Sequence, residues 1–544
     1  MPFKTKRSTD LRFGFCQPPQ PSSFKTPCHS FSSSSPYRRS MASSVFSIFF
    51  FAFFLLISVA SSKLLLFPLT HYLSNSQFNT NQTHRLLKST TARSAARFLR
   101  HHNRQVSVAL SPGSDYTMSF SLGSAPKKTT VTLYMDTGSD TVWLPCKPFT
   151  CIMCEGKSDP KTTPPPYNIS TSAALVTCQS RSCSAVHSGL PTSDLCAAAR
   201  CPLESIEMSE CNKFSCPAFY YAYGDGSFVA RIYTDTLEIP MSAPTSLVIR
   251  NFTFGCAHES LGEPIGVAGF GRGALSLPAQ LADFSPHLGT QFSYCLVSHS
   301  FDTDQVRQPS PLILGRVDSG LGVNKAKRVG ALRLDDFAYT PMLENSKHPY
   351  YYYVGLEAIT VGNRRLPAPE NMKKIDGKGN GGMVVDSGTT YSMLPEILYN
   401  SVVSQFGKWM KSGLAYKRAR GVEDRTGLSP CFYVDGHQPG PGTKRKEAVL
   451  VPQMVLHFGG NSSVVMPRKN YFYEFIDGGD GKGKVKRKVG CMTLMNGGYF
   501  PDSGGPAGLL GNYQQQGLEV VYDLLKKRVG FARRKCASLW DTLG

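Results

Sequence analysis

Apolar and polar positions alternate over short stretches along most of this chain, and glycine or proline separates one stretch from the next. Residues 116–122 (YTMSFSL) place every second side chain on one face and stop at Gly123, which predicts a strand with one buried side. Val131 to Met135 is apolar and β-branched, and similar runs recur at Ser246–Phe254, Tyr350–Val361, Met383–Val385, Ala448–Phe458 and Gly517–Tyr522. Helical spacing is scarce. Leu275–Leu281 and Pro395–Lys408 are the best candidates, the second carrying Leu398, Val402, Val403 and Phe406 on one face. The pattern predicts an all-β protein rich in turns.

One stretch breaks this pattern. Val45 to Ala60 is apolar throughout, follows Arg38 and Arg39, and ends at Ser61 and Ser62. It is shorter than the ~20 residues that span a bilayer, so it reads as a cleaved signal peptide at 41–62 and not as an anchor. Residues 1–40 are then an N-terminal extension, unless Met41 is the start. The chain's 544 residues exceed one ordinary domain and suit two packed lobes with extra segments.

The formal charge of +21 sits largely in front of the strands: residues 1–113 hold 14 Lys and Arg against one acid, Asp10. Arg93, Arg97, Arg100 and Arg104 recur at near-helical spacing, and 63–113 reads as a basic pro-segment able to cover an acidic cleft. With most of the excess there, charge gives no case for a nucleic-acid partner. The C-terminal residues Trp540 to Gly544 form no hydrophobic tail, so no stable membrane anchor is expected at that end.

The informative chemistry is an internal repeat. Leu133-Tyr134-Met135-Asp136-Thr137-Gly138-Ser139 returns 250 positions later as Met383-Val384-Val385-Asp386-Ser387-Gly388-Thr389. Each copy is an apolar strand that runs into Asp, a hydroxyl residue, Gly and a second hydroxyl residue. One such sequence is ordinary turn chemistry. Two, one in each half, predict two similar lobes that meet at a pair of carboxylates. Carboxylates in contact cannot both ionise cheaply and share a proton over acidic pH. One can then take a proton from water while the other donates to a carbonyl oxygen.

From Tyr116 to Cys536 the sequence resembles the pepsin-type aspartic proteases, in particular their plant nepenthesin-type branch. The resemblance rests on Asp136-Thr137-Gly138-Ser139-Asp140 with Trp143, and on Asp386-Ser387-Gly388-Thr389-Thr390. It extends to Val267-Ala268-Gly269, to Leu509-Leu510-Gly511 and to the run Asn512-Tyr513-Gln514-Gln515-Gln516. It implies a bilobal all-β fold with lobes at 114–300 and 301–544 and the active site between them. By position, Asp136 and Asp386 are the catalytic pair. Thr137 and Ser387 would cross-link the two loops, and Ser139 and Thr389 would hydrogen-bond the carboxylates beside Gly138 and Gly388. Tyr223-Gly224-Asp225-Gly226-Ser227 would form a flap over the substrate, with Tyr223 reaching towards Trp143 and Gly224 beside it among the substrate-binding residues; Ala230 stands where the family has glycine.

Sixteen cysteines, fourteen of them between Cys146 and Cys536, predict disulfides made in an oxidising compartment. The resemblance implies Cys431–Cys491 and Cys295–Cys536, and a Cys-rich insertion in the first lobe. The partners of its ten cysteines do not follow from sequence. Cys151-Ile152-Met153-Cys154 is half of a metal-site pattern with no second half, so no metal is expected, and no cofactor. Gly269-Phe270-Gly271-Arg272-Gly273 lacks the lysine of a phosphate loop. Asn168, Asn251 and Asn461 open glycosylation sequons in the predicted mature chain, as Asn81 does before it. Five basic residues between Lys482 and Lys488 decorate a predicted hairpin; attraction to acidic polysaccharide is a second reading.

The expected activity is acid-pH peptide hydrolysis by a secreted monomer acting on proteins or peptides, extracellular, in the cell wall or in the vacuole. The competing expectation is a binding or inhibitor protein of the same fold that recognises glycoside hydrolases. The intact Asp136 and Asp386 sequences favour the enzyme.

Overall fold

The computed structural model describes residues 65–71, positions between 83 and 94, and residues 116–155, 163–222, 226–239, 246–298, 309–315, 337–412, 416–435, 450–478, 486–498 and 505–543. The leader at 41–62, the extension before it, Asn81, the four spaced arginines, and Tyr223, Gly224 and Asp225 lie outside the described residues.

The fold is all-β and bilobal. In the first half, Tyr116–Leu122 pairs antiparallel with Thr129–Asp136, and the long strands Ser227–Ile239 and Leu247–Leu261 form an antiparallel pair across from it. In the second half, Leu356–Val361 pairs with Arg364–Pro367 and with Met454–Phe458. Cys431–Tyr433, Arg487–Met492 and Phe472–Asp477 make a further sheet.

An antiparallel belt joins the halves. Its strands run in the order Leu65–His71, Ser310–Leu314, Gln291–Cys295, Leu518–Asp523, Arg528–Arg533, Ala338–Leu343. Leu518–Asp523 is buried along its whole length, as a central strand covered on both faces must be. Phe292 from one side of the seam stacks on Tyr522 from the other, ring centroids 4.7 Å apart.

The strand expected at Met383–Val385 has those bounds. The stretch expected at Tyr350–Val361 is interrupted at Gly355, leaving strands Tyr353–Val354 and Leu356–Val361. Ser246–Phe254 is the first part of a strand that continues to Leu261. The helix expected at Pro395–Lys408 runs Glu396–Ser412; it buries Leu398, Val402 and Phe406, while Val403 packs half-buried at the margin of the core. The helix expected at Leu275–Leu281 starts later, at Leu277, because the Ser276 side chain caps it by accepting from the Ala279 N–H, and it ends at Phe284. Among the described residues, no helix is long and apolar enough to cross a membrane.

Part of the predicted pro-segment is integrated with the strands. Leu66, Phe67 and Leu69 are buried in the belt, and helical positions between 83 and 94 pack on the second lobe. There Leu87 sits among Tyr391, Tyr473, Phe475 and Tyr513. The Ser94 hydroxyl accepts from the Tyr391 N–H at 3.0 Å, and the Thr91 hydroxyl donates to the Thr426 carbonyl at 3.2 Å.

Candidate active site

The two Asp loops are built alike. Strand Thr129–Asp136 pairs in parallel with Val267–Gly269, and strand Met383–Val385 with Gly508–Leu510. These partners are the two apolar-apolar-Gly elements of the sequence. At Gly269 a Cβ would lie 2.6 Å from the Thr141 nitrogen, and at Gly511 2.5 Å from the Thr390 oxygen. Each glycine is needed because backbone passes directly against backbone there. The first loop is closed by the Phe270 N–H donating to the Asp136 carbonyl at 2.7 Å. The second is closed by the Asp386 N–H donating to the Leu510 carbonyl at 3.0 Å.

Four buried hydrogen bonds lock the loops together with near two-fold symmetry. The Thr137 N–H donates to Ser387 Oγ at 3.0 Å, and the Ser387 N–H donates to Thr137 Oγ1 at 2.9 Å. The Thr137 hydroxyl donates to the Val385 carbonyl at 3.0 Å, and the Ser387 hydroxyl to the Met135 carbonyl at 3.1 Å. Each hydroxyl accepts and donates at once, so the pairing needs a hydroxyl on both sides.

Asp136 and Asp386 are 2% and 5% exposed, which places both carboxylates inside the seam and not on open surface. Each accepts from the N–H two residues on, Gly138 and Gly388, at 2.8 Å. A Cβ on Gly138 would stand 2.6 Å from Asp386 Oδ1, so the second carboxylate rests against the first loop. Thr389 donates its hydroxyl to Asp386 Oδ2. Its counterpart corrects the expected symmetry: the Ser139 hydroxyl is buried and makes no hydrogen bond among the described residues. Thr389 is β-branched and restricted in χ1, whereas Ser139 is not.

Residues that the motif comparison did not assign complete the site. Asn512 Nδ2 donates to the Ser387 carbonyl at 2.8 Å, and Gln515 Nε2 donates to the Leu510 carbonyl at 2.7 Å and to the Asp386 carbonyl at 3.3 Å. The Tyr294 hydroxyl donates to Gln515 Oε1 and contacts the Tyr522 hydroxyl at 2.9 Å. Burial pushes the Tyr294 phenol well above its usual range, so it stays a neutral donor. The signal for this network was the polar run directly after a buried strand.

Stacked rings join the two described strands on either side of residues 223–225. Phe228, beside the flap sequence, stacks on Trp143 at 4.2 Å and on Tyr221 at 5.7 Å. The Tyr221 hydroxyl donates to Asp140 Oδ1 at 3.2 Å, and loss of hydration raises the Asp140 carboxyl above its ordinary value. Ala230, the departure from the family pattern, is buried in strand Ser227–Ile239 opposite Phe219.

Cysteine pairs tie the site's surroundings. Cys146 joins Cys256, Cys151 joins Cys154, Cys183 joins Cys216 and Cys196 joins Cys211 in the first half; Cys295 joins Cys536 and Cys431 joins Cys491 elsewhere. Cys151 and Cys154 therefore hold each other, not a metal. Asn168, Asn251 and Asn461 are all exposed. Lys488 pairs with Glu474 on its own hairpin, and Arg487 pairs with Asp435, just beyond the neighbouring strand Cys431–Tyr433.

Residues 116–316 match the model of the xylanase inhibitor N-terminal family, and residues 351–533 that of its C-terminal counterpart. A probable aspartyl protease of Arabidopsis thaliana is 54% identical over 89% of this chain and 96% of its own length. The chain belongs to the pepsin-type aspartic protease family, in its plant nepenthesin-type branch. Within this family, aspartic proteinase nepenthesin-2 of Nepenthes gracilis is 29% identical over 78% of each chain. Among solved structures, that of EDGP superposes with a TM-score of 0.57 at 16% identity, over 88% of this chain and 96% of that one. Basic 7S globulin from soybean gives 0.54 at 18%, over 88% and 99%. At that identity these two likenesses speak for the bilobal protease fold alone.

Proposed function

We propose that this chain is an aspartic endopeptidase that hydrolyses peptide bonds at acidic pH with a water held between Asp136 and Asp386. The observation that carries the proposal is the reciprocal pairing of Thr137 and Ser387, which supports a fixed relation between two buried carboxylates. With one proton shared by the pair, the ionised carboxylate removes a proton from the water as it attacks the peptide carbonyl. The protonated partner donates to the carbonyl oxygen. Proton transfer to the amine nitrogen then releases the two products without a covalent intermediate. The substrate is a protein or peptide extended across the cleft between lobes 114–300 and 301–544, under a flap carrying Tyr223 and Gly224. No metal or cofactor takes part in this scheme.

The processing that accompanies this reading is removal of a signal peptide at 41–62, secretion as a zymogen with pro-segment 63–113, and glycosylation at Asn168, Asn251 and Asn461. The mature enzyme acts as a monomer outside the cell, in the wall or in the vacuole, with no nucleic-acid partner.

The test is to express residues 63–544, acidify, and follow peptide cleavage between about pH 3 and 6 with and without pepstatin. Asp136→Asn and Asp386→Asn should each lower the rate by at least about a thousandfold while leaving the fold intact. Activity that survives either change overturns the mechanism. The xylanase-inhibitor description of the matching family models favours one second reading, a binding protein that recognises glycoside hydrolases. A wild type that cleaves nothing but retains an immobilised xylanase would establish that reading instead.

A further inference from the structure

Asn251 occupies an unusual place for a sequon. It is exposed and holds a left-handed backbone, φ 57°, where strand Leu247–Leu261 bulges against strand Ser227–Ile239. It also lines a cavity of about 310 Å³ between that strand and helix Leu277–Phe284. The helix turns Gln280, Asp283 and Phe284 towards the cavity, three positions that share one helical face. Arg250 from the strand and Ser182 from the Cys-rich insertion add to the wall. Phe284 is 53% exposed, a large apolar ring left in the open beside these polar groups.

We infer that the carbohydrate attached to Asn251 docks in this cavity, its first N-acetylglucosamine against the Phe284 ring, and so fastens the helix to the strand. The inference rests on the glycosylation proposed above for Asn251 and adds where the sugar lies. A pyranose ring offers an apolar face of C–H bonds, which suits an aromatic ring, and a rim of hydroxyl and acetamide groups. Arg250, Asp283 and Ser182 are the donors and acceptors that such a rim needs. At about 310 Å³ the cavity lies at the lower end of the ~300–1,000 Å³ typical of small-ligand sites, which suits the core sugars and not a whole glycan. Because Asn251 is itself part of the wall, the sugar is tethered beside its seat. Little freedom is lost on docking, and weak contacts suffice.

The order of events follows from Thr253, the hydroxyl residue of the sequon. Thr253 is 8% exposed; its N–H donates to Gln280 Oε1 at 2.7 Å, and its carbonyl accepts from Gln280 Nε2 at 2.9 Å. A transferase cannot reach that hydroxyl once the helix is in place, so the sugar is added before the helix docks. In the transfer, the Asn251 amide nitrogen bonds to C1 of the first sugar of a lipid-linked oligosaccharyl pyrophosphate. The C1–oxygen bond breaks, the lipid pyrophosphate leaves with the electron pair, and the amide gives up one proton. Folding then closes the helix onto the strand with the sugar already beside Phe284.

The test uses the full chain expressed through the secretory route of a eukaryotic host. Mass spectrometry of the peptide that contains Asn251 comes first; an unmodified Asn251 overturns the inference together with the glycosylation reading. Release of the glycans from the folded protein by a peptide-N-glycosidase is then followed in time. The Asn251 glycan should leave the wild type about tenfold more slowly than it leaves Phe284→Ala, while release at Asn168 and Asn461 stays the same. Phe284→Leu, which keeps apolar bulk but lacks the flat ring, should behave like Phe284→Ala. Equal rates at Asn251 in all three proteins would overturn the docking and leave the glycosylation standing. As a second measurement, Phe284→Ala should lower the unfolding temperature of the glycosylated chain and hardly change that of Asn251→Gln. Equal shifts in the two backgrounds would mean that ring and sugar do not meet.

Discussion

The Tyr221 hydroxyl donates to Asp140 Oδ1 at 3.2 Å, tying strand Phe219–Ala222 to the loop that follows Asp136. Tyr221 is also one ring of the Tyr221–Phe228–Trp143 stack, so the loop and the strands Phe219–Ala222 and Ser227–Ile239 share one support.

This contact has a pH signature. Desolvation is the largest influence on Asp140 and raises its carboxyl above 3.8; the Tyr221 hydrogen bond opposes it and loses. A carboxyl raised in the folded state binds its proton more tightly there than in the unfolded chain. Its stabilising effect is therefore complete below 3.8 and is lost as the pH rises from that value through the raised one. Asp140→Asn keeps an acceptor for Tyr221 and removes the titration. The variant should match the wild type in unfolding temperature below about pH 4 and exceed it near neutrality, as read by thermal melts across pH. A variant less stable than the wild type at pH 7 would contradict this account.

The bonds between Thr137 and Ser387 should behave as one unit. Thr137→Val keeps the shape but strands the buried Val385 carbonyl and Ser387 N–H, at a cost of roughly 2–5 kcal/mol. Thr137→Ser keeps both bonds and loses a methyl group, about 1 kcal/mol. Ser387→Ala should cost much the same as Thr137→Val. Denaturant melts of the two single variants and the double variant would show strong non-additivity, because each change already breaks bonds counted in the other. Additive effects would mean that the two hydroxyls act independently.

What sequence conveyed about this site follows from the range of the interactions. Asp136, Asp386 and their apolar lead-ins were legible because each sits in a local repeat, and Leu398, Val402 and Phe406 because helical period is a local signal. The belt was not, since Gln291–Cys295 pairs with Leu518–Asp523 across more than two hundred residues and neither strand states its partner. The same limit hid Gln515 beneath Asp386 and Tyr221 against Asp140, whose side chains read as generic polar positions until the fold set their neighbours. Ser139 shows the opposite error. The repeat predicted a role equal to that of Thr389, but symmetry of sequence did not carry through to the hydroxyl's bond.

Residues 65–94 should be required for folding, whatever their later fate. Strand Leu65–His71 covers Ser310–Leu314, whose Leu312, Ile313 and Leu314 are fully buried beneath it. A chain that begins at residue 116 leaves that strand as a bare apolar edge, which invites pairing with another molecule. Expressed alone, it should appear as aggregate on size exclusion, while co-expression of a 63–94 segment should restore soluble monomer. Soluble, cooperatively folding monomer from the truncated chain would show that another segment fills the edge.

Three glycines separate catalytic geometry from stability. At Gly138 an added Cβ meets the Asp386 carboxylate, 2.6 Å from Oδ1. Gly138→Ala should therefore displace a reacting group and abolish peptide cleavage, with a smaller effect on the melting temperature. At Gly511 the added Cβ meets the Thr390 backbone at 2.5 Å, and backbone cannot swing aside. Gly511→Ala should destabilise by about 2–4 kcal/mol and impair folding before it impairs chemistry. Gly407 lies inside helix Glu396–Ser412 and an added Cβ meets nothing within 4 Å. There Gly407→Ala should stabilise by about 0.5–1 kcal/mol, since it restricts the unfolded chain and improves helix propensity at no steric cost. Parallel measurement of cleavage rate and unfolding free energy on the three variants checks the assignment. A Gly138→Ala variant that keeps wild-type turnover would show that Asp386 is not held against the first loop.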